Sequence, residues 1–159
     1  MKKVNYIGLD VHKKNIVMGE SREIGKSSIT GEYPNTDSGI KKLLKNLNKL
    51  SEEFEIKICY EAGPCGYAIM RILEKNNFHC DVIAPSLIPV RVGIKVKTDK
   101  KDAMKLARLY RAGELSFITV PDENKEPVRD LVRCRDDIMT DLKRAKQRLN
   151  HFLIRHGFN

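Results

Sequence analysis

Four acidic side chains occupy places in this sequence where a carboxylate is costly or crowded. Asp10 interrupts the apolar run IGLDV, and Glu61 directly follows the apolar run IKICY. Asp99 and Asp102 lie three residues apart in KTDKKDA, so on a helix they would share one face. Carboxylates placed in this way are unfavourable unless a cation holds them. Because hard oxygen ligands suit Mg²⁺ or Mn²⁺, the four residues together predict a divalent-metal site.

The chemistry expected of such a site is phosphodiester cleavage. Two divalent ions about 3.5–4 Å apart can stabilise the attacking and the leaving oxygen of a displacement at phosphorus. Each acid also has a purely structural interpretation when it is taken alone. Asp99, for example, could cap a helix whose first turn contains Asp102. As a set, Asp10, Glu61, Asp99 and Asp102 are the predicted catalytic and metal-binding residues.

Basic residues surround the second acidic pair. The chain carries a formal net charge of +9, and proteins of this charge often bind nucleic acid. A basic protein without a polyanionic partner is the alternative. If phosphates are bound, affinity should fall steeply with salt, because counterions are released from the nucleic acid. The predicted nucleic-acid-binding residues are Arg91, Lys95, Lys97, Lys100, Lys101, Lys105 and Arg108.

Two other classes of protein fit the sequence poorly. No run of about 18 or more apolar residues is present, so we expect no membrane span. The apolar piece near the N-terminus is too short for a signal peptide, and we expect a cytoplasmic protein. The four cysteines have no zinc-binding spacing and are expected to be reduced. A zinc site formed by Cys65, His79 and Cys80 is the alternative.

Hydrophobic periodicity predicts the elements that must position these residues. Three short strands with tight connections precede a helix with apolar residues at helical spacing. A strand, a helix and a strand follow, which predicts a parallel crossover, and a further helix begins at Asp99. The predicted strands span residues 4–10, 15–20, 28–33, 55–60 and 79–84. The sequence therefore predicts an α/β fold with a mixed five-stranded sheet and flanking helices.

The C-terminal part of the chain has a different pattern. Apolar residues recur at steps of three or four, close to a heptad repeat, except where Arg135 interrupts them. They are Val128, Leu131, Ile138, Leu142, Ala145, Leu149 and Phe152. We expect a catalytic domain over residues 1–121 and a long helix within 122–159 that forms a coiled coil or a homodimer. A helix that packs back on its own domain is the alternative.

Both the element order and three sequence blocks resemble known proteins. The order resembles the ribonuclease H-like fold, and also the related actin-like ATPases. The actin-like ATPases require a turn rich in glycine and hydroxyl residues after the first-strand Asp, and this chain has VHKK there, which does not fit that class. The blocks YIGLDVHKKNIVMG, YEAGPCGY and KTDKKDAMKLARL resemble the signature blocks of the DEDD transposases. These are insertion-sequence recombinases whose N-terminal catalytic domain is similar to the RuvC Holliday-junction resolvase.

This resemblance implies a function and a set of partners. It implies metal-dependent DNA cleavage and strand exchange by Asp10, Glu61, Asp99 and Asp102, a guide RNA, and assembly into dimers or larger complexes in a prokaryotic cytoplasm. Members of the family continue into a C-terminal domain that supplies a catalytic serine, and Ser86 does not match it. We therefore expect a fragment or a truncated reading frame. A stand-alone Holliday-junction nuclease and a non-enzymatic nucleic-acid-binding dimerisation module are the alternatives.

Overall fold

The structure is a computed structural model that describes residues 2–23, 25, 27–89 and 99–158. For Asp99 and Lys100 it describes the backbone alone. The chain divides into two compact units, Met1–Thr119 and Val120–Asn159. Three of the predicted nucleic-acid-binding residues, Arg91, Lys95 and Lys97, lie outside the described residues.

The first unit contains the predicted mixed sheet of five strands. The strands are β1 (Lys3–Val11), β2 (Asn15–Arg22), β3 (Ser28–Pro34), β4 (Phe54–Glu61) and β5 (Cys80–Ile83). The helices are α1 (Asp37–Glu53), α2 (Ala68–Lys75), α3 (Asp99–Ala112) and, in the second unit, α4 (Lys125–Arg155). The strand order is β3-β2-β1-β4-β5, which confirms the predicted α/β class and the mixed sheet.

Strand β1 lies at the centre of the sheet and sets its directions. It pairs with β2 in antiparallel and with β4 in parallel orientation. A short turn joins β1 to the antiparallel strand β2, and helix α2 connects the parallel strands β4 and β5. Antiparallel strands need only a turn, whereas parallel strands need a crossover. Strand β3 lies at the edge, and its residues alternate between exposed and partly buried as expected for an edge strand.

Helix α1 packs against one face of the sheet. It begins after Thr36, whose hydroxyl accepts a hydrogen bond from the Gly39 amide at 3.3 Å. Leu43 and Leu47, one helical turn apart, are fully buried. The Asn46 side chain donates a 2.7 Å hydrogen bond to the Tyr33 hydroxyl, which places α1 on the face of the sheet that carries Tyr33.

Helix α3 packs against the opposite face, where two glycines make a shallow seat for it. Gly8 and Gly19 face each other across β1 and β2. A Cβ atom at Gly8 would meet the Ala103 carbonyl oxygen and the Ala107 amide, and one at Gly19 would lie 2.7 Å from the Ala103 carbonyl carbon. Ala103 and Ala107 are fully buried. The small residues on both sides therefore allow the helix backbone to touch the strands.

The second unit is dominated by α4, a helix of 31 residues in which no residue is buried. This confirms the predicted long C-terminal helix. Its apolar side chains are largely exposed, including Leu131 at 72% and Leu149 at 60%. None of the helices in the described part of the chain is long and apolar enough to cross a membrane.

Candidate metal and nucleic-acid site

Asp10 and Glu61 lie next to each other at the carboxyl ends of two neighbouring parallel strands. The last register pair of β1 and β4 is Leu9 with Tyr60, and Asp10 and Glu61 are the next residue on each strand. Since side chains alternate along strands, both acids belong to the face that carries Gly8 and Cys59, where α3 packs. Both are partly buried. The sheet thus brings the first two predicted acids to one edge.

The direction of α3 brings its first turn to the same edge. Tyr110, near the helix end, stacks edge-on against Tyr6 with ring centroids 5.4 Å apart. Ala103 and Ala107 lie over Gly8. The helix therefore runs antiparallel to β1. From Gly8 to Asp10 the strand advances about 6.6 Å, which is close to the rise of about 6 Å over four helical residues. Asp10 is therefore level with the first turn of α3, about four residues before the part of the helix that lies over Gly8.

The fit of these residues to a divalent cation rests on the chemistry of the donors. Asp10, Glu61 and Asp102 supply carboxylate oxygens from β1, β4 and the first turn of α3, and all three are partly buried. Oxygen donors of this kind fit Mg²⁺ or Mn²⁺. Among the side chains that the structure describes, no three His, Cys, Asp or Glu residues already form a group that could hold an ion. The Asp99 side chain lies outside that set.

The carboxylate of Asp10 is held by a histidine in the turn that follows β1. His12 Nε2 lies 3.1 Å from Asp10 Oδ2. The imidazole is about half exposed, with 48% of its side-chain surface accessible, whereas the Asp10 side chain retains only 15%. The Asp10 carboxylate is therefore oriented by a side chain that solvent can reach.

The loop after Glu61 is fixed to the sheet by hydrogen bonds on both sides of its glycines. The Ala62 amide donates a 2.8 Å hydrogen bond to the Ile83 carbonyl, which continues the pairing of β4 with β5. The buried Tyr60 hydroxyl donates a 2.7 Å hydrogen bond to the Gly66 carbonyl. Gly66 has a φ of 62°, a left-handed conformation that glycine adopts without strain. These contacts hold Glu61 at the end of its strand.

The predicted basic residues that the structure describes lie along α3. Lys101 is exposed, and Lys105 and Arg108 are partly buried. The side chain of Lys100 is outside the described set. Since α3 begins at the sheet edge that carries Asp10 and Glu61, these cations extend away from the acidic residues along one helix.

A second polar cluster lies near the end of α3. The Tyr110 hydroxyl donates to Asp81 Oδ2, and His79 Nε2 lies 3.2 Å from Asp81 Oδ1. Burial, and then the hydrogen bond to Asp81, raise the pKa of Tyr110. Burial raises the pKa of the thiols of Cys59 and Cys80, with smaller contributions from the Asp81 charge. Both thiols are therefore protonated at neutral pH.

The structure bears on the zinc alternative through the positions of its three residues. Within the described part of the chain, Cys65, His79 and Cys80 do not form a group that could hold a metal ion.

Sequence reasoning left one contact of the site open and missed another. Strand periodicity indicates that Asp10 and His12 face the same way, which leaves open a supporting contact by His12 and an exposed turn histidine, and the structure shows a histidine that is exposed and also contacts Asp10. The Asn35 side chain donates a hydrogen bond to the His12 carbonyl, and this contact joins residues 23 positions apart in sequence. No local pattern predicts a contact of that kind.

Comparisons with known proteins match this chain to transposases. A family profile described as transposase, of the DEDD type of IS110 elements, matches residues 7–157. The chain is 43% identical over 154 residues to the putative transposase y4qE of Sinorhizobium fredii, covering 96% of this chain and 39% of that protein. It is 42% identical over 160 residues to the transposase for insertion sequence element IS1533 of Leptospira borgpetersenii, covering 98% of this chain and 45% of that protein.

The chain therefore spans less than half the length of these two relatives. Among solved structures, the PPX-GPPA enzyme of Aquifex aeolicus matches with a TM-score of 0.33 and 16% identity, covering 52% of this chain and 36% of that one. A similarity of this size supports no conclusion about fold or function.

Proposed function

The chain belongs to the IS110-type DEDD transposase family, and we propose that it forms the RuvC-like, metal-dependent catalytic part of a DNA transposase. One observation carries the proposal. The antiparallel packing of α3 on β1 brings the helix turn of Asp99 and Asp102 to the sheet edge where Asp10 and Glu61 lie side by side. The strand order β3-β2-β1-β4-β5 supports a ribonuclease H-like fold.

In the proposed phosphodiester cleavage, the acidic side chains of this edge and the nearby basic side chains have different roles. Asp10, Glu61, Asp99 and Asp102 bind two Mg²⁺ or Mn²⁺ ions, which when bound stabilise negative charge at the reacting phosphate. The pairing of β1 with β4 fixes the relative position of Asp10 and Glu61, and the glycine seat fixes the height of the α3 turn. Lys100, Lys101, Lys105 and Arg108, with Arg91, Lys95 and Lys97, bind neighbouring backbone phosphates of DNA.

Strand exchange needs more than this chain shows. The chain covers 39% and 45% of its two relatives, so we propose that a further domain, with a catalytic serine, completes recombination. We also propose that a guide RNA selects the DNA. The protein would act in the cytoplasm of a prokaryotic cell.

The long helix supports assembly into a homodimer. Its apolar positions recur as a heptad seam, and all of its large apolar side chains are exposed, from 37% at Leu153 to 72% at Leu131. Covering such a seam with a second copy of the helix removes apolar surface from water. We propose that α4 pairs in this way as a coiled coil.

The test of the metal site is a calorimetric titration of Mn²⁺ into the wild type and into the Asp99→Ala/Asp102→Ala variant. We expect the wild type to bind and the variant to lose most of the heat, because two of the four ligands are gone. The matched control is Glu52→Gln/Glu53→Gln, an exposed acidic pair at the end of α1, which should bind like the wild type. Equal binding by the wild type and the Asp variant would overturn the metal site.

A parallel cleavage assay distinguishes the enzymatic proposal from a binding module. In Mn²⁺, the wild type should nick a branched DNA substrate, and Asp10→Asn should abolish nicking while DNA binding persists. Equal activity of Asp10→Asn and the wild type would show that the acids are structural. Complete resolution of junctions by this chain alone would favour the stand-alone nuclease.

A further inference from the structure

Hydrogen bonds from within the turn and from Asn35 fix the backbone of the turn between β1 and β2. It consists of His12, Lys13 and Lys14. The His12 amide donates a 2.8 Å hydrogen bond to the Asn15 carbonyl, which closes the turn. From the start of α1, the Asn35 side chain donates a 2.8 Å hydrogen bond to the His12 carbonyl, and the Asn35 amide donates a 2.9 Å hydrogen bond to the Lys14 carbonyl. One residue thus binds both ends of the turn.

The position of the turn relates it to the acidic edge of the sheet. It begins two residues after Asp10, and its histidine contacts the Asp10 carboxylate. Since β1 lies between β2 and β4, the turn lies on the β2 side of Asp10 whereas Glu61 lies on the β4 side. The turn is therefore a second border of the proposed active site, separate from the cations of α3.

The charge of the turn indicates what it would bind. Lys13 and Lys14 are consecutive and both exposed, and they follow the strand that carries Asp10. Two ammonium groups on a fixed backbone suit a phosphate oxygen, and a preformed turn loses less conformational freedom on binding than a mobile one.

We propose that the Asn35-bound turn His12–Lys13–Lys14 binds a backbone phosphate of the DNA strand that is cleaved, next to the reacting phosphate. The inference rests on the proposed function, because it takes Asp10 as the residue beside the reacting phosphate. DNA is favoured over RNA as the occupant since the turn adjoins the residue that acts on DNA. The predicted nucleic-acid-binding residues of the sequence do not include this turn.

The first experiment measures binding of a DNA duplex of about 30 base pairs at several salt concentrations. Lys13→Ala/Lys14→Ala should lower the slope of log affinity against log salt by about 0.9, because the two lysines together contact one phosphate and each phosphate contact contributes about 0.9. In about 0.1 M salt the affinity should fall on the order of three- to ten-fold. The matched control is Lys41→Ala/Lys42→Ala, an exposed pair on α1, on the opposite face of the sheet from α3, which should leave the slope close to that of the wild type.

The second experiment separates the shape of the turn from its charge. Asn35→Ala keeps both lysines and removes the side-chain hydrogen bond to the His12 carbonyl. We expect DNA affinity to fall at least about two-fold while the salt slope stays near the wild-type value. Thermal unfolding checks that the variant is folded. Unchanged affinity in a folded Asn35→Ala protein would overturn the role of the fixed turn.

The outcomes separate this inference from the proposed function. If the wild type binds Mn²⁺ and DNA but the lysine variant matches its Lys41/Lys42 control, the turn proposal fails and the proposed function stands. If the wild type binds neither, both fail. An RNA duplex of the same length provides the last comparison. A loss confined to RNA would overturn DNA as the occupant, whereas an equal or larger loss on DNA supports it.

Discussion

The two carboxylates of the sheet edge are supported in different ways. Asp10 is oriented by a side chain, His12, that lies 3.1 Å from it and is itself exposed. The loop after Glu61 is fixed through its backbone, because the Ala62 amide donates to the Ile83 carbonyl and the Tyr60 hydroxyl donates to the Gly66 carbonyl.

The buried thiols give the protein a pH-dependent stability. Burial raises the pKa of Cys59 and Cys80 in the folded chain, while the unfolded chain has the ordinary thiol pKa of about 8.5. Above that pH the unfolded chain releases protons that the folded chain retains, so unfolding becomes more favourable as pH rises. The stabilisation is complete below about pH 8.5. It is lost by up to about 1.4 kcal/mol for each pH unit and thiol above it.

Denaturant unfolding between about pH 8 and pH 10 checks this dependence. Cys80→Ala should make the decline of the free energy of unfolding with pH less steep, because the variant lacks one of the two thiols whose protons the folded chain retains. The control is Cys134→Ala, since Cys134 is exposed on α4 and its thiol is in water in both states. A decline equally steep in Cys80→Ala and in the wild type would contradict the explanation.

At the residue scale, the acids could be predicted from the sequence, but their contacts could be predicted only where they are local. Asp10 and Glu61 are recognisable because each breaks or ends an apolar strand pattern, which local sequence reveals. The contact of His12 with Asp10 is local and strand periodicity allows it, whereas the contact of Asn35 with His12 joins residues 23 positions apart, and sequence periodicity carries no information about it.

Helix α3 can position its acidic first turn only because Gly8 and Gly19, the strand residues on which it packs, have no side chains. A Cβ atom at Gly19 would lie 2.7 Å from the Ala103 carbonyl carbon and also from the Met104 amide nitrogen. Both are backbone atoms, so no flexible side chain can move aside. Gly19→Ala should therefore lower the free energy of unfolding by about 1–3 kcal/mol and displace the helix. We expect Mn²⁺ binding to weaken with it, because the first turn of α3 moves relative to Asp10.

Denaturant unfolding and Mn²⁺ calorimetry measure the two effects of Gly19→Ala together. Gly63→Ala is the control for stability, since the nearest atom to a Cβ there is the Glu61 carbonyl oxygen at 4.0 Å. It adds the same methyl group without the clash. Wild-type stability and metal affinity in Gly19→Ala would show that the seat does not fix the helix.

At the element scale, the strands and helices follow from the sequence to within a few residues. The predicted strand 15–20 continues to Arg22, and the helix predicted to begin at Asp99 does begin there. Alternation and helical spacing are local, and so is the effect of Gly and Pro at the ends. The direction of α3 across the sheet was not predictable in the same way, because it depends on the meeting of Gly8 and Gly19 with Ala103.

For the whole molecule, the exposed seam of α4 predicts an association that depends on protein concentration. Leu142 lies in the middle of the seam and is 46% exposed. In a paired helix its side chain would be buried, so Leu142→Lys should place a charge in the interface and shift the protein to a monomer. Sedimentation equilibrium measures this change. Gln147→Lys, on the outer face of the same helix, should leave the dimer intact, and equal effects of the two variants would contradict pairing through the seam.

Arg135 interrupts the same seam at a position that the heptad repeat assigns to an apolar residue. Its guanidinium lies 3.2 Å from Asp136 Oδ1, and the side chain is 73% exposed in the single chain. Burying this charge between two helices costs stability, yet a polar residue at one such position can fix the register of a coiled coil. Arg135→Leu should therefore strengthen the dimer and raise its thermal midpoint.

The cost of Arg135→Leu should appear in the alignment of the helices. Disulfide cross-linking through Cys134, which is exposed and adjacent, reports the register. We expect the wild type to form one cross-linked species and the leucine variant to form it less efficiently, because shifted pairings become accessible. A weaker dimer in Arg135→Leu would show that the arginine contacts an acid of the partner helix and stabilises the pair directly.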